Sequence, residues 1–188
     1  MTALTLFVIR HAEKQGEDWP GPGLTEEGEE DPDSLVIRGW QRAGAWAALF
    51  SAGHGGSDYL APTVIFAAKP GKTDKLDQGV SRRPYETIIP LAARLGLVPN
   101  ADIAKGNEQD LVNAVFGLSG VVLVSWEHKA IVESILPLIP LSSGRPPTDW
   151  PGGRFDVVLR FDRSAGATRL AYRPLCPCLM SGDSDHMW

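Results

Sequence analysis

Two histidines stand where an α/β chain can put them to use. Arg10, His11, Ala12 and Glu13 follow directly on the apolar run Leu4 to Ile9, and Trp126, Glu127 and His128 follow on a second such run, Val121 to Ser125. Ligands in open α/β sheets bind beyond the carboxyl ends of the strands, so a reactive side chain at a strand end is well placed. An imidazole there can act as base or nucleophile near neutral pH. An arginine beside it offers a planar fork of donors for an anionic oxygen group.

The elements that must carry these residues are legible from periodicity. Leu4 to Ile9, Thr63 to Ala67 and Val121 to Ser125 are continuous apolar, β-rich runs, the pattern of strands buried on both faces. Between them, Gly39 to Phe50 and Pro84 to Leu95 repeat apolar residues at helical spacing, the second with Pro84 in its first turn and Gly96 as its stop. Further helices are expected from about Glu108 to Phe116 and from about Ala130 to Leu138, and a short strand over Asp102 to Ala104.

Strands alternating with helices predict one domain over residues 1–188, a three-layer α/β/α sandwich with a mostly parallel sheet. Phe155 to Phe161 and Thr168 to Tyr172 flank a turn-forming stretch, Asp162 to Ala167, and add antiparallel pairing near the C-terminus. The tail from about 174 to 188 reads as irregular. Gly16 to Asp33, Lys69 to Gly79 and Pro140 to Gly153 read as loops.

Composition narrows the classes. With 188 residues, 43% hydrophobic and 22% charged, the chain is an ordinary globular one, long enough to bury a core. A formal net charge of -5 argues against nucleic acid or an anionic lipid surface as partner, so local positive charge must hold any anionic substrate. No run approaches the roughly 18 apolar residues that span a bilayer, and the N-terminus lacks the basic and cleavage-site features of a signal peptide. Cys176 and Cys178, with one proline between them, would strain a mutual disulfide; free thiols and a cytoplasmic location are expected.

Taken in order, the motifs resemble the histidine phosphatase superfamily, the phosphoglycerate mutase-like group. That family begins with a strand followed by Arg-His-Gly/Ala-Glu, matched here by Arg10, His11, Ala12 and Glu13. A Leu-x-x-x-Gly-x-x-Gln-Ala-like segment is similar to Leu35, Gly39, Gln41, Arg42 and Ala43, and an Arg-Ala-x-Glu/Gln-Thr helix start resembles Arg83, Pro84, Tyr85, Glu86 and Thr87. His128 is the second histidine after a hydrophobic strand. The resemblance covers Leu4 to about Leu138.

The resemblance implies a phosphatase acting on a small phosphorylated substrate and releasing inorganic phosphate. His11 would be the nucleophile, forming a phosphohistidine, while Arg10, Arg83, His128 and Glu13 would contact the substrate. Phosphoryl transfer asks mainly for an in-line nucleophile and clustered cations. Two guanidinium groups and an imidazole meet that need, so no metal or other cofactor is expected. The proton for the leaving group would come from Glu108, with Glu127 as rival. A phosphohistidine or phosphoprotein substrate, and a weakly catalytic phospho-ligand-binding domain, are the alternatives.

The chain departs from the family in two places. No Ser-Pro turn precedes the core arginine; Lys69, Lys72 and Lys75 lie there instead, ahead of Ser81, Arg82 and Arg83. Both arginines are therefore candidates, and Arg83 is preferred because Glu86 and Thr87 then fall in register. Lys129, rather than glycine, follows His128, which matches neither the mutase nor the phytase form of that motif.

The remaining features have ordinary readings. Trp40 and Trp46 read as packing residues, His54 as a loop residue and Glu26 to Asp33 as a solvated acidic face. Cys176, Cys178, Asp183, Asp185 and His186 lack the paired Cys-x-x-Cys spacing of a metal site.

Overall fold

A computed structural model describes residues 1–51, 56–71 and 81–188. Lys72, Lys75 and His54 lie outside the described residues. Six strands form one sheet in the order β2-β3-β1-β5-β6-β4: β1 (Leu4–Arg10), β2 (Val64–Ala67), β3 (Gly120–Trp126), β4 (Leu141–Ser143), β5 (Val158–Arg163) and β6 (Leu170–Leu175). β1 and β2 run parallel to β3, whereas β5 pairs antiparallel with both β1 and β6. The sheet is mixed, as the sequence predicts.

Alternate residues of β1 supply the two halves of the core. Leu4, Leu6 and Val8 pack with Val122, Val124, Leu111, Val115 and Ile131 on one face, under α3 (Glu108–Phe116) and the segment after β3. Phe7 and Ile9 pack with Leu123, Trp46, Phe50, Ile88 and Leu91 on the other, under α1 (Ile37–Ser51) and α2 (Arg83–Leu95). Helices thus cover both faces of the sheet, giving the expected three layers. No helix among the described residues is long and apolar enough to cross a membrane.

Local chemistry sets the boundaries of α2. Pro84 occupies its first turn, and Gly96 ends it in the left-handed conformation with φ of 67°. At α1 the constraint is a close approach: a Cβ on Gly39 would collide with the carbonyl oxygen of Glu13, so glycine lets the helix dock on the turn after β1.

Four expectations need correction. Asp102 to Ala104 is not a strand: within it only Ile103 is bonded to the β2 side, its carbonyl accepting the amide of Lys69, and the one bridge nearby is that of Phe66 with Asn100. Leu141–Ser143 is a strand inside a stretch read as loop; it is a three-residue, bulged edge with too few residues to show a period. The helix expected over Ala130 to Leu138 begins earlier and is composite: a helical turn α4 (His128–Ala130), a π-turn over Ile131–Ile135 and a 3-10 turn over Leu136–Leu138 that contains Pro137. Asp162 and Arg163 belong to β5 rather than to the hairpin turn, because Asp162 pairs with Ala171 and Arg163 with Leu4.

Candidate active site

The parallel pairing of β1 with β3 sets Arg10 opposite Trp126, so the chain leaves both strands at the same edge of the sheet. His11 follows one residue later and His128 two residues later. The N-terminus of α2 delivers Arg83. The charges of Arg10, Arg83 and His128 all act on the His11 ring, which places the four residues in one neighbourhood.

His11 is buried, and its Nδ1 lies 2.7 Å from the carbonyl oxygen of Ala12. A carbonyl can only accept, so Nδ1 carries the proton and Nε2 keeps its lone pair. Burial, followed by the charge of Arg10, pushes the ring's pKa down to about 3, with Arg83 and His128 adding to the effect. A neutral imidazole with an unprotonated Nε2 has the lone pair that nucleophilic attack requires, and two guanidinium groups beside it could hold an anionic group.

Arg10 is nearly fully buried. Its Nη1 donates to the carbonyls of Pro151 (3.3 Å), Gly152 (2.7 Å) and Arg154 (3.0 Å), and its guanidinium carbon sits 3.7 Å above the centre of the Phe155 ring. Burial lowers its pKa to about 10, opposed by Glu127 and Glu13, so the group stays charged at neutral pH. Its Nε is buried with no hydrogen-bond partner among the described residues. A buried unpaired donor is costly, and an oxygen of a bound oxyanion would satisfy it.

The two candidate arginines at the start of α2 have different surroundings. Arg82 turns to Glu86 at 3.4 Å and Asp31 at 3.9 Å. Arg83 donates to the carbonyls of Ser34 (3.2 Å) and Pro32, and its charge reaches His11. Burial lowers its pKa, with Asp33, Glu86 and Asp31 opposing. Of the two, Arg83 is the one whose charge acts on His11.

The two carboxylates proposed as proton donors also differ. Glu127 caps α4, accepting the backbone N–H groups of Lys129 (3.1 Å) and Ala130 (3.0 Å), and lies 3.2 Å from Nζ of Lys105. Its Oε1 is 3.0 Å from Nδ1 of His128, and among the described residues that Nδ1 has no hydrogen-bond partner. Burial alone would raise the pKa of Glu127, but His128, the two amides and Lys105 outweigh it and hold the carboxyl well below the usual range. It is an anion at neutral pH.

Glu108 is buried at the start of α3, where Oε1 accepts the indole N–H of Trp126 and the amide of Gly106, both at 3.0 Å. Oε2 takes no hydrogen bond among the described residues. Glu108 lines a cleft of about 540 Å³ together with Lys69, Ser81, Pro84, Lys105 and Glu127.

No protein-family model matches the sequence, and no curated protein sequence matches it. Solved structures do match the fold. The protein histidine phosphatase SixA, in complex with tungstate, is 14% identical with a TM-score of 0.56, over 93% of this chain and 97% of that one. A mycobacterial glucosyl-3-phosphoglycerate phosphatase is 14% identical with a TM-score of 0.51, over 92% and 97%. The fold is that of the histidine phosphatases.

Within this histidine phosphatase fold, Glu13 stands differently from the other residues named for substrate contact. It is fully buried, and both its oxygens face Arg42, Oε1 at 2.9 Å and Oε2 at 3.0 Å from Nε. Its carboxylate is paired with a cation of α1.

Other supporting residues carried little sequence signal. Thr87 accepts the amide of Ala12 at 2.8 Å and donates to the carbonyl of Arg83 at 2.7 Å, tying the turn after His11 to the helix that carries Arg83. Glu86 accepts the hydroxyl of Ser34 (2.6 Å) and the amide of Leu35 (2.8 Å), fixing the loop that holds Arg83. Phe155 and the Pro151–Arg154 carbonyls come from a Pro/Gly-rich stretch more than 140 residues beyond Arg10. Nothing local in the sequence connects them.

Proposed function

We propose that the protein is a phosphatase that hydrolyses phosphomonoesters through a phosphohistidine on His11. The observation that carries this is the Nδ1 contact of His11 with the Ala12 carbonyl, which leaves Nε2 unprotonated in a buried site flanked by Arg10 and Arg83. The likeness to phosphatases of this fold supports the same reading.

In the first step Nε2 of His11 forms a bond to phosphorus as the bond to the leaving oxygen breaks, and Glu108 gives that oxygen its proton. Arg10, Arg83 and His128 bind the equatorial oxygens, whose charge grows in the transition state. In the second step water attacks the phosphohistidine, its proton passes to the Glu108 carboxylate, the P–N bond breaks and inorganic phosphate leaves. The protein's own cations offset the phosphoryl charge, so turnover is expected to survive EDTA.

The direct test is rapid quench with a 32P-labelled ester. Acid-labile, alkali-stable label should appear on the wild type and be absent from His11→Ala; label that persists in that variant would remove His11 as nucleophile. Tungstate, the oxyanion bound in the SixA structure, should inhibit competitively.

A second reading, a phosphohistidine substrate, is favoured by the likeness to SixA, a protein histidine phosphatase. An imidazole leaving group needs less help from a general acid than an alkoxide does. Turnover of a phosphohistidine peptide that is indifferent to Glu108→Gln would select this reading.

A further inference from the structure

The segment that follows β6 is bonded both to Arg42 and Arg38 of α1 and to Arg154 and Asp156. Asp183, whose side chain is 3% exposed, lies 2.7 Å from Nη2 and 3.1 Å from Nη1 of Arg42. Arg42 in turn holds Glu13. Arg38 stands 3.5 Å from the same Glu13 carboxylate, and its Nη2 donates to the carbonyl of Ser181 at 2.6 Å. Asp183 also accepts the amides of Leu179 and Met180, both at 2.9 Å, which folds the segment around it.

A second set of contacts runs to Arg10. Asp156, buried, accepts the amide of Ser184 at 2.9 Å and Nε of Arg154 at 2.7 Å. Arg154 also donates to the carbonyl of His186 at 2.9 Å. The backbone carbonyl of Arg154 is one of the three acceptors on Nη1 of Arg10.

We propose that Leu179–His186 is a positioning strap: Asp183, through Arg42 and Glu13, and Ser184 and His186, through Asp156 and Arg154, hold His11 and Arg10 in register for an oxyanion without touching it. This rests on the phosphatase reading of the same site. Two arginines and two carboxylates balance around Glu13, and a buried ion pair that loses one member leaves the others uncompensated. Arg42 would then draw Glu13 aside, and Glu13 is two residues from His11. The backbone leaves no slack there, because the Glu13 carbonyl accepts the amide of Val36 at 3.2 Å and Gly39 packs against it.

The strap can be read out at the His11 ring itself, independently of turnover. The charged groups that face this ring are Arg10 at the end of β1, Arg83 at the start of α2 and His128 at the start of α4; all stay unchanged in the test. In 15N NMR, His11 of the wild type should keep the Nδ1–H tautomer and stay neutral well below pH 6. In Asp183→Asn its titration midpoint should rise by at least one pH unit and the Kd for tungstate by at least tenfold. Asp183→Glu, which restores the carboxylate, should recover most of both.

An unchanged His11 titration and tungstate affinity in a folded Asp183→Asn protein would overturn the proposal. Should that variant not fold, Asp156→Asn tests the other arm, and wild-type tungstate affinity there would overturn the proposal equally. If the wild type shows neither turnover nor tungstate binding while Asp183→Asn still moves the His11 titration, the strap stands and the phosphatase reading falls.

Discussion

The amide of His11 donates to the carbonyl of Trp126 at 3.0 Å. This bond, one residue past the Arg10–Trp126 register position, continues the β1–β3 pairing to the point where the chain turns into the site. It ties the His11 backbone to the strand end that, two positions later, gives His128. The same Trp126 gives its indole N–H to Glu108, so one strand end touches three of the five residues proposed to act.

Stability should fall in acid because of His11. The folded chain holds this ring's pKa near 3 while the unfolded chain keeps the ordinary value near 6.5, so below pH 6.5 the unfolded state takes up the proton first. The loss therefore develops as pH falls from about 6.5 towards 3, and amounts to roughly 2–3 kcal/mol between pH 7 and pH 4.5. Urea unfolding at those two pH values should show a clearly smaller loss for His11→Asn. Equal losses would mean that His11 titrates normally in the folded protein.

Glu108→Gln should discriminate between leaving groups. Alkyl phosphates should slow by about 10²–10⁴-fold, the range typical of a lost general acid, while p-nitrophenyl phosphate, whose leaving group departs unaided, slows far less. Steady-state kcat on both substrates is the measurement, and uniform loss would assign Glu108 a folding role.

Glu127→Gln should behave otherwise, since this carboxylate is already an anion that caps α4 and sits against His128. Both substrates should lose kcat/KM by the same factor, and the inhibition constant for inorganic phosphate should rise. Selective slowing of alkyl esters here would name Glu127 as the proton donor.

Arg83→Lys should cost about 10- to 100-fold in kcat/KM, the worth of one charge-assisted hydrogen bond and of the lost fork geometry. Arg82→Lys should cost much less, because Arg82 faces Glu86 and Asp31. The reverse order in parallel assays would exchange their assignments.

Phe155→Leu removes the ring under the Arg10 guanidinium. A cation–π contact is worth about 0.5–2 kcal/mol, so kcat/KM should fall by roughly 2- to 30-fold. Thermal unfolding of the same variant checks that the loss is local. A kcat/KM equal to that of the wild type would show that the ring does not set Arg10.

Residue order alone determined the alternation of apolar runs and amphipathic helices, and hence the layered fold. It also determined that Arg10 and His11, and later His128, follow strand ends, because strand and helix periods are properties of neighbouring residues. It separated Arg82 from Arg83 only by register with Glu86 and Thr87. In the tertiary structure Arg82 faces Glu86 and Asp31, whereas the charge of Arg83 acts on the His11 ring. Folding also brought the Pro151–Arg154 carbonyls onto Arg10 across about 140 residues and Asp183 onto Arg42 across the same span. It paired Glu13 with Arg42. Partners so far apart in the chain share no period and no motif. Their pairing follows from where the sheet sets each segment and from the cost of leaving a buried charge or donor unmatched.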